Sequence, residues 1–227
     1  MDGLDLSCAA SQCSIEHGAE MLNGTTLCAD SRERDAGLKT SSFGAAGFFE
    51  ADPLDDALFD KVATDGRIII ASPGASVGDI AYMLESIMGE YQPFGNQVGE
   101  LASFQLSAGS QGDLIRGRLS HNGNETLNGS SAAQNLGAIS ASQKLYAGLA
   151  VLSASGSTPT LDVVVESDSS NDFTGSETER LAFTQADQQT AELLSLDGAV
   201  TDTWWRIRWT VSGTSPDFKF VAVLGIQ

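Results

Sequence analysis

Two histidines, three cysteines, one acidic loop and one aromatic–basic strand are the parts of this 227-residue chain whose side chains could do chemistry. His17 and His121 each stand beside turn residues, without a second ligand at metal spacing, and read as surface histidines. Cys8, Cys13 and Cys28 are odd in number and form no Cys-x-x-Cys pair, so they read as reduced, semi-buried thiols rather than a zinc site or a disulfide framework. A single Cys8–Cys13 bridge stays open as the alternative. Asp168, Ser170, Asp172 and Glu179 fall at the first, third, fifth and twelfth positions of a calcium-loop spacing. Phe173 occupies the sixth position, where the sharp turn needs glycine, and the flanks read as strands, so a solvated acidic loop is the better reading.

The aromatic–basic strand is residues 203–211. Alternation puts Trp205, Ile207, Trp209 and Val211 on one face and Trp204, Arg206, Arg208 and Thr210 on the other. Trp204, Arg206 and Arg208 are therefore candidates for a subunit contact or a surface-recognition patch. Cross-strand ion pairs are the plainer account of the two arginines. Serine elbows, phosphate loops and paired zinc histidines are lacking, and any carboxylate pair is uninformative in so acidic a chain. The chain is therefore expected to be no enzyme and to need no cofactor and no metal.

The elements that would carry these residues are mostly strands. Glycine is abundant, with 24 residues, and serine and threonine are common, a mix suited to short strands and turns. One helix is expected over 53–62, with Asp52 as N-cap, Pro53 at its first position, and Leu54, Leu58 and Val62 packing on a sheet. Strands are expected at 37–50, 67–71, 81–91, 101–107 and 114–119. Further strands are expected at 144–152, 161–167, 180–184, 203–211 and 218–226, the last two forming a hairpin around a turn at 212–217. Residues 1–35 read as an irregular arm with one or two strands. The polar stretch 126–136 reads as a linker or long loop between a domain at 1–125 and a β-sandwich of jelly-roll or immunoglobulin-like type at 137–227.

Charge bounds the partners. With 12 Lys+Arg against 30 Asp+Glu the formal net charge is −18, which argues against equilibrium binding to nucleic acid. Residues 1–130 hold 7 basic and 19 acidic residues, a net of −12, and residues 131–227 hold 5 and 11, a net of −6. Apolar residues at 41% allow a real core. The acidic start has no signal-peptide pattern and no apolar run reaches membrane-spanning length, so synthesis in a reducing cytoplasm and no membrane partner are expected.

Several motifs then fall in a familiar order. Gly37-Leu38-Lys39, Phe48-Phe49, the 53–62 helix, Ser72-Pro73-Gly74 with Gly78-Asp79, Val98-Gly99-Glu100 with Phe104, and Leu114-Ile115-Arg116-Gly117 resemble the tail tube (major tail) proteins of long-tailed bacteriophages. Thr201-Asp202-Thr203-Trp204-Trp205-Arg206 and the closing Phe220-Val221-Ala222-Val223-Leu224-Gly225-Ile226 resemble a C-terminal domain appended to such virion proteins. The resemblance implies a mainly-β fold: a β-sandwich or barrel tube domain with one flanking α-helix, followed by a C-terminal β-sandwich. It also implies a homo-oligomer of hexameric, stacked rings in the virion tail, contacts with other tail proteins, and passage of DNA without specific binding. A capsid decoration protein, a head–tail joining protein and a carbohydrate-binding module on the C-terminal domain are the alternatives.

Overall fold

A computed structural model describes residues 1–50 and 54–227. The chain is mainly β, with twelve strands and one four-residue helix among the described residues. The strands are β1 Ala10–Asn23, β2 Arg34–Phe48, β3 Arg67–Ala71, β4 Ile80–Gln92, β5 Ser103–Ser110 and β6 Ile115–Glu125. They continue as β7 Gly129–Ser130, β8 Gln134–Asn135, β9 Lys144–Asp168, β10 Thr178–Ala182, β11 Thr190–Asp197 and β12 Trp204–Ile226. The chain divides into two compact units: Met1–Asp5, Ile68–Met83 and Ile115–Gln227 form the first, and Leu6–Arg67 and Leu84–Leu114 the second.

The first unit is built on two long strands. β9 and β12 run antiparallel from the Trp204–Asp168 pair to the Ile226–Leu145 pair. Both strands kink midway, where the ladder shifts register between Ser212 and Asp217. There Gly156 and Gly213 hold φ of 114° and 116°, a region open to glycine and strained for other residues. A Cβ on Gly156 would lie 2.7 Å from the Ser215 carbonyl oxygen, and one on Gly213 would lie 2.8 Å from that of Thr158. Each strand thus turns its corner against the backbone of the other.

Either side of the corner, alternation sends one row inward: Trp205, Ile207 and Trp209, then Phe218, Phe220, Ala222 and Leu224. With Leu145, Ala147, Leu149, Val151, Val163 and Val165 from β9, both rows join one core. Each fully buried large side chain contributes roughly 1.5–3 kcal/mol over exposure. β10 extends the 161–168 half of β9, and β11 the 144–151 half. β7 and β8 pair with residues 204–209 of β12, and β6 with residues 218–224. The result is a sandwich whose two layers share the same two bent strands.

Three expectations change in this unit. Residues 203–211 and 218–226 do not form a hairpin together, because the stretch between them is a kink inside β12. The stretch 126–136 is not a free loop, because β7 and β8 supply backbone bonds to β12 there. Residues 1–5, 68–83 and 115–125 cluster with the C-terminal strands, a grouping set by the β6–β12 ladder, which no local sequence pattern displays.

The second unit is a sheet in the order β1-β2-β5-β4. Phe43 and Ala45 of β2, Phe104, Leu106 and Ala108 of β5 and Leu84 and Met88 of β4 are buried. The expected helix is much shorter than its pattern. Its start at Asp52 and Pro53 lies outside the described residues, and the α-helix covers only Asp56–Phe59. Leu54 and Leu58 are buried, but Val62 is 39% exposed and instead bridges to Met88 in a parallel pair. The N–H of Ala63 donates to the Met88 carbonyl at 2.8 Å, so the sheet edge captures the backbone that the helix would need. Tyr91 Oη donates to Asp55 at 2.8 Å and pins the helical turn, and burial with that carboxylate raises the phenol's pKa.

The paired corner yields a direct test. Gly213→Ala combines a forbidden φ with a backbone clash and is expected to lose more than about 2 kcal/mol of stability. Gly137→Ala, at φ 88° with open space around it, is expected to lose about 1 kcal/mol. Urea unfolding monitored by tryptophan fluorescence measures both, and equal losses would contradict the corner's role.

Candidate functional site

The strongest surface candidate lies in the second unit. Pairing through all four of its strands gives complete cross-sheet rungs. Ile15–Phe43–Ala108–Met88 and Cys13–Ala45–Leu106–Tyr91 point to the core side. The intervening rungs point the other way: Glu16–Ser42–Gly109–Ile87, Ser14–Gly44–Ser107–Glu90 and Gln12–Ala46–Gln105–Gln92. Eleven of these twelve residues are small or polar and the twelfth is Ile87; their only charges are Glu16 and Glu90, and no lysine or arginine is among them. The face is smooth, anionic and free of cations. One boundary of it is β1, a 14-residue strand paired on one side only among the described residues. Such an edge is a ready template for another chain.

Beyond Ser42, where pairing with β5 stops, β1 and β2 continue as a two-stranded arm to the Asn23–Arg34 pair. His17 lies on β1 near the root of this arm, exposed, with Nδ1 2.8 Å from Ser41 Oγ. Cys8, Cys13 and Cys28 are all free thiols and all exposed, rather than semi-buried, because the strand and loop that carry them have little packed over them.

The residues singled out on β12 sit in the first unit, and the fold places them together. Arg206 and Arg208 converge on Glu166 of β9. Arg206 Nε and Nη2 donate to Glu166 Oε2 at 2.8 Å each, and Arg208 Nε donates to Oε1. Arg208 Nη2 also reaches Glu179 at 3.4 Å. The Glu166 side chain is only 5% exposed, and its negative charge raises the pKa of Arg208 further. Arg206 lies 4.2 Å over the Phe173 ring. Both guanidiniums are thus occupied by groups of their own chain, as in the plainer account of the pair. Trp204, half-buried, stands opposite Asp168.

The acidic loop is organised by its own residues. Asp168, almost fully buried, accepts from Ser170 N–H at 3.0 Å and Ser176 Oγ at 2.9 Å, and these bonds hold its carboxyl below the usual range. Asp172 accepts from Ser170 Oγ and Thr174 Oγ1, and Glu179 faces Arg208 instead of the loop. Among the described residues no group of three or more His, Cys, Asp or Glu is placed to hold a metal ion. An open cleft of about 290 Å³ lies elsewhere in this unit, lined by Thr184, Gln185, Asp187, Gln188 and Glu192 without an aromatic ring. Trp205 and Trp209 are core residues whose Nε1 atoms donate to the Gly137 and Leu127 carbonyls at 2.9 and 3.0 Å. Only Trp204 of the three tryptophans is left for surface recognition.

His121 is the residue that sequence reasoning misplaced. It is 7% exposed, stacked 4.2 Å from the Phe220 ring and 4.5 Å from Trp209. Its position on the inward row of β6 was hidden by polar neighbours that read as a loop. Burial lowers its pKa from 6.5 to about 4, so it is neutral at pH 7, with Nε2 3.6 Å from Glu125 Oε1.

No family model matches the chain, and no curated protein does. Solved structures give remote likenesses. The virion of a native gene transfer agent particle contains a chain of 19% identity, TM-score 0.34, covering 47% of this chain and 82% of that one. The tail of an empty gene transfer agent particle, refined with C6 symmetry, gives the same identity and TM-score with 47% and 80% coverage. The Dit protein of phage SPP1, described as a paradigm of hub adsorption apparatus, matches at 9% identity and TM-score 0.36 over 100% of this chain and 97% of that one. At these TM-scores the likeness carries no weight for fold or function.

Two outcomes follow from the first unit. Glu166→Ala leaves two arginines without their shared partner and is expected to cost about 3 kcal/mol, against less than about 1 kcal/mol for Arg208→Ala, whose side chain is 41% exposed. Denaturant midpoints compare the two. For His121, the unfolded state binds a proton near pH 6.5 and the folded state near pH 4, so its contribution is intact above pH 6.5 and lost as pH falls toward 4. The loss is about 2 kcal/mol by pH 5. Thermal melts of wild type and His121→Phe at pH 7 and pH 5 are expected to diverge, and identical pH slopes would show that His121 is not the acid-sensitive group.

Proposed function

We propose that this chain is a structural subunit of a phage tail, assembling with copies of itself so that its second-unit sheets line a conduit for DNA. The observation that carries the reading is the cation-free outer face of the β1-β2-β5-β4 sheet. Basic walls would capture phosphates and stall a moving duplex, whereas a small, polar, anionic wall repels them. The unpaired β1 edge supplies the means by which neighbouring copies extend the sheet. The order of motifs that resembles tail tube proteins agrees with both features. Trp204, half-exposed on the sandwich, is proposed as a contact for other tail proteins.

Negative-stain electron microscopy of the purified chain at low and high salt tests this. Hollow rings or tubes are expected, more abundant at high salt, which screens repulsion between subunits of net charge −18. A monomer that persists at high protein concentration in both salts refutes the reading.

A further inference from the structure

Residues 126–131, which follow β6, cross the edge of β12 as a strap held by backbone and polar groups alone. Trp209 Nε1 donates to the Leu127 carbonyl at 3.0 Å, and Val211 N–H donates to Asn128 Oδ1 at 2.8 Å. Gly129 and Ser130 pair with Trp209 and Arg208, and Ser131 N–H donates to the Ile207 carbonyl at 2.8 Å. Ile207 N–H donates in return to Ser131 Oγ at 3.0 Å. None of residues 126–131 is buried, and Leu127 is 75% exposed. A segment without apolar anchors opens at far less cost than the strands it lies on.

The strap covers Trp209, and Trp209 covers His121. Gly129 lies so close to the indole that a Cβ there would stand 2.7 Å from Trp209 Cζ2. The His121 ring stacks against that indole and Phe220, and its Nε2 is buried without a hydrogen-bond partner among the described residues. The β9 and β12 rows in this core are apolar. The charges of β12 alternate to the other side, with Arg208 on Glu166, Lys219 on Asp5 and Asp217 beside Asn124. The strap itself has no titratable group. Glu125, at the end of β6, is the charge that faces the ring, 3.6 Å from Nε2.

We propose that residues 126–131 are an acid-released strap: a proton on His121 drives them off β12 and bares both Trp209 and the strand edge at residues 207–211. An imidazolium in this aromatic pocket has no water on Nε2, and lifting the strap admits it. Burial lowers the pKa of His121 to about 4, against a smaller opposing effect of a backbone hydrogen bond at Gly123, whereas a hydrated ring titrates near 6.5. The open form therefore binds the proton better and gains on the closed form as pH falls below 6.5, by about twentyfold between pH 7 and pH 5. Glu125 works against the release. Burial raises its pKa, so the closed form takes up a proton there in acid, and while ionised it favours the imidazolium inside the closed form.

Hydrogen–deuterium exchange of the full chain at pH 7 and pH 5, corrected for the intrinsic pH dependence of amide exchange, reads the opening directly. Peptides covering 126–131 are expected to gain about twentyfold in opening equilibrium at pH 5, while peptides from β9 to β11 keep their protection. His121→Phe is expected to remove the gain, and Glu125→Gln to enlarge it. Gly129→Ala, whose Cβ meets the indole, is expected to open the strap at both pH values. An equal gain in wild type and His121→Phe would overturn the inference by placing the sensor elsewhere. A joint rise in the strap and in β9–β11 would overturn it too, since charging His121 would then melt the sandwich as a whole. Should His121→Phe not fold, His17→Gln leaves His121 as the sole histidine, and its ring-proton NMR signal is expected to titrate well below pH 6.5. Titration at pH 6.5 with the strap still protected would equally overturn the inference.

Discussion

The reciprocal approach of Gly156 and Gly213 at the corner of β9 and β12 is the constraint on which the sandwich depends. A strand pair of this length would otherwise be a ribbon with an apolar row along one side and nothing to cover it. Bending both strands at one point folds the ribbon's two halves onto each other, so that Trp205, Ile207 and Trp209 share a core with Phe218, Phe220 and Leu224. The bend is available only because both strands lack a side chain where their backbones cross. β6, β10 and β11 then need only to add edges to layers that the bend has already defined.

Charge is placed unevenly and to effect. In the sandwich, Arg180, Arg206, Arg208, Lys144 and Lys219 each hold a carboxylate of their own unit. On the four-stranded sheet, the outer rungs carry carboxylates and no cation, while on the arm Arg32, Arg34 and Lys39 stand among Glu20, Asp30, Glu33 and Asp35. A single net charge conceals these three regimes: cations paired with carboxylates, bare carboxylates, and mixed charge on the arm. Surface potential, rather than total charge, is what a partner meets.

Strands whose pattern is local could be read directly. Arg67–Ala71 is bounded as the β-branched run implies, and the wet and dry faces of 101–107 fall where alternation places them, with Phe104 and Leu106 buried and Gln105 and Ser107 exposed. The facing of Trp205 and Trp209 against Arg206 and Arg208 was equally plain. What alternation cannot supply is the partner of a strand. Residues 212–217 carry turn-forming chemistry, yet the neighbouring β9 kinks in step and keeps β12 continuous. Residues 120–136 look polar throughout, yet His121 is inward and residues 129–130 and 134–135 complete the β12 edge. The helix pattern from Leu54 to Val62 held for a single turn, because the backbone at Val62 and Ala63 found a better donor–acceptor match on β4. The rungs of the anionic face were out of reach for the same reason, since they exist only once four strands are in register.

The order in which the sandwich is threaded has a consequence for its synthesis. β12 is the last of the described strands, and it pairs with β6, β7, β8 and β9. Until β12 is made, β9 has β10 and β11 to pair with over residues 164–167 and 144–151, and its long ladder is missing. The sheet of the second unit, by contrast, is complete by residue 114. Closure of the sandwich spans contacts as distant as Leu145 and Ile226, which makes it the slow, late event of folding. A nascent chain therefore carries a finished four-stranded sheet while its sandwich is still open, and the synthesis of β12 separates the two events.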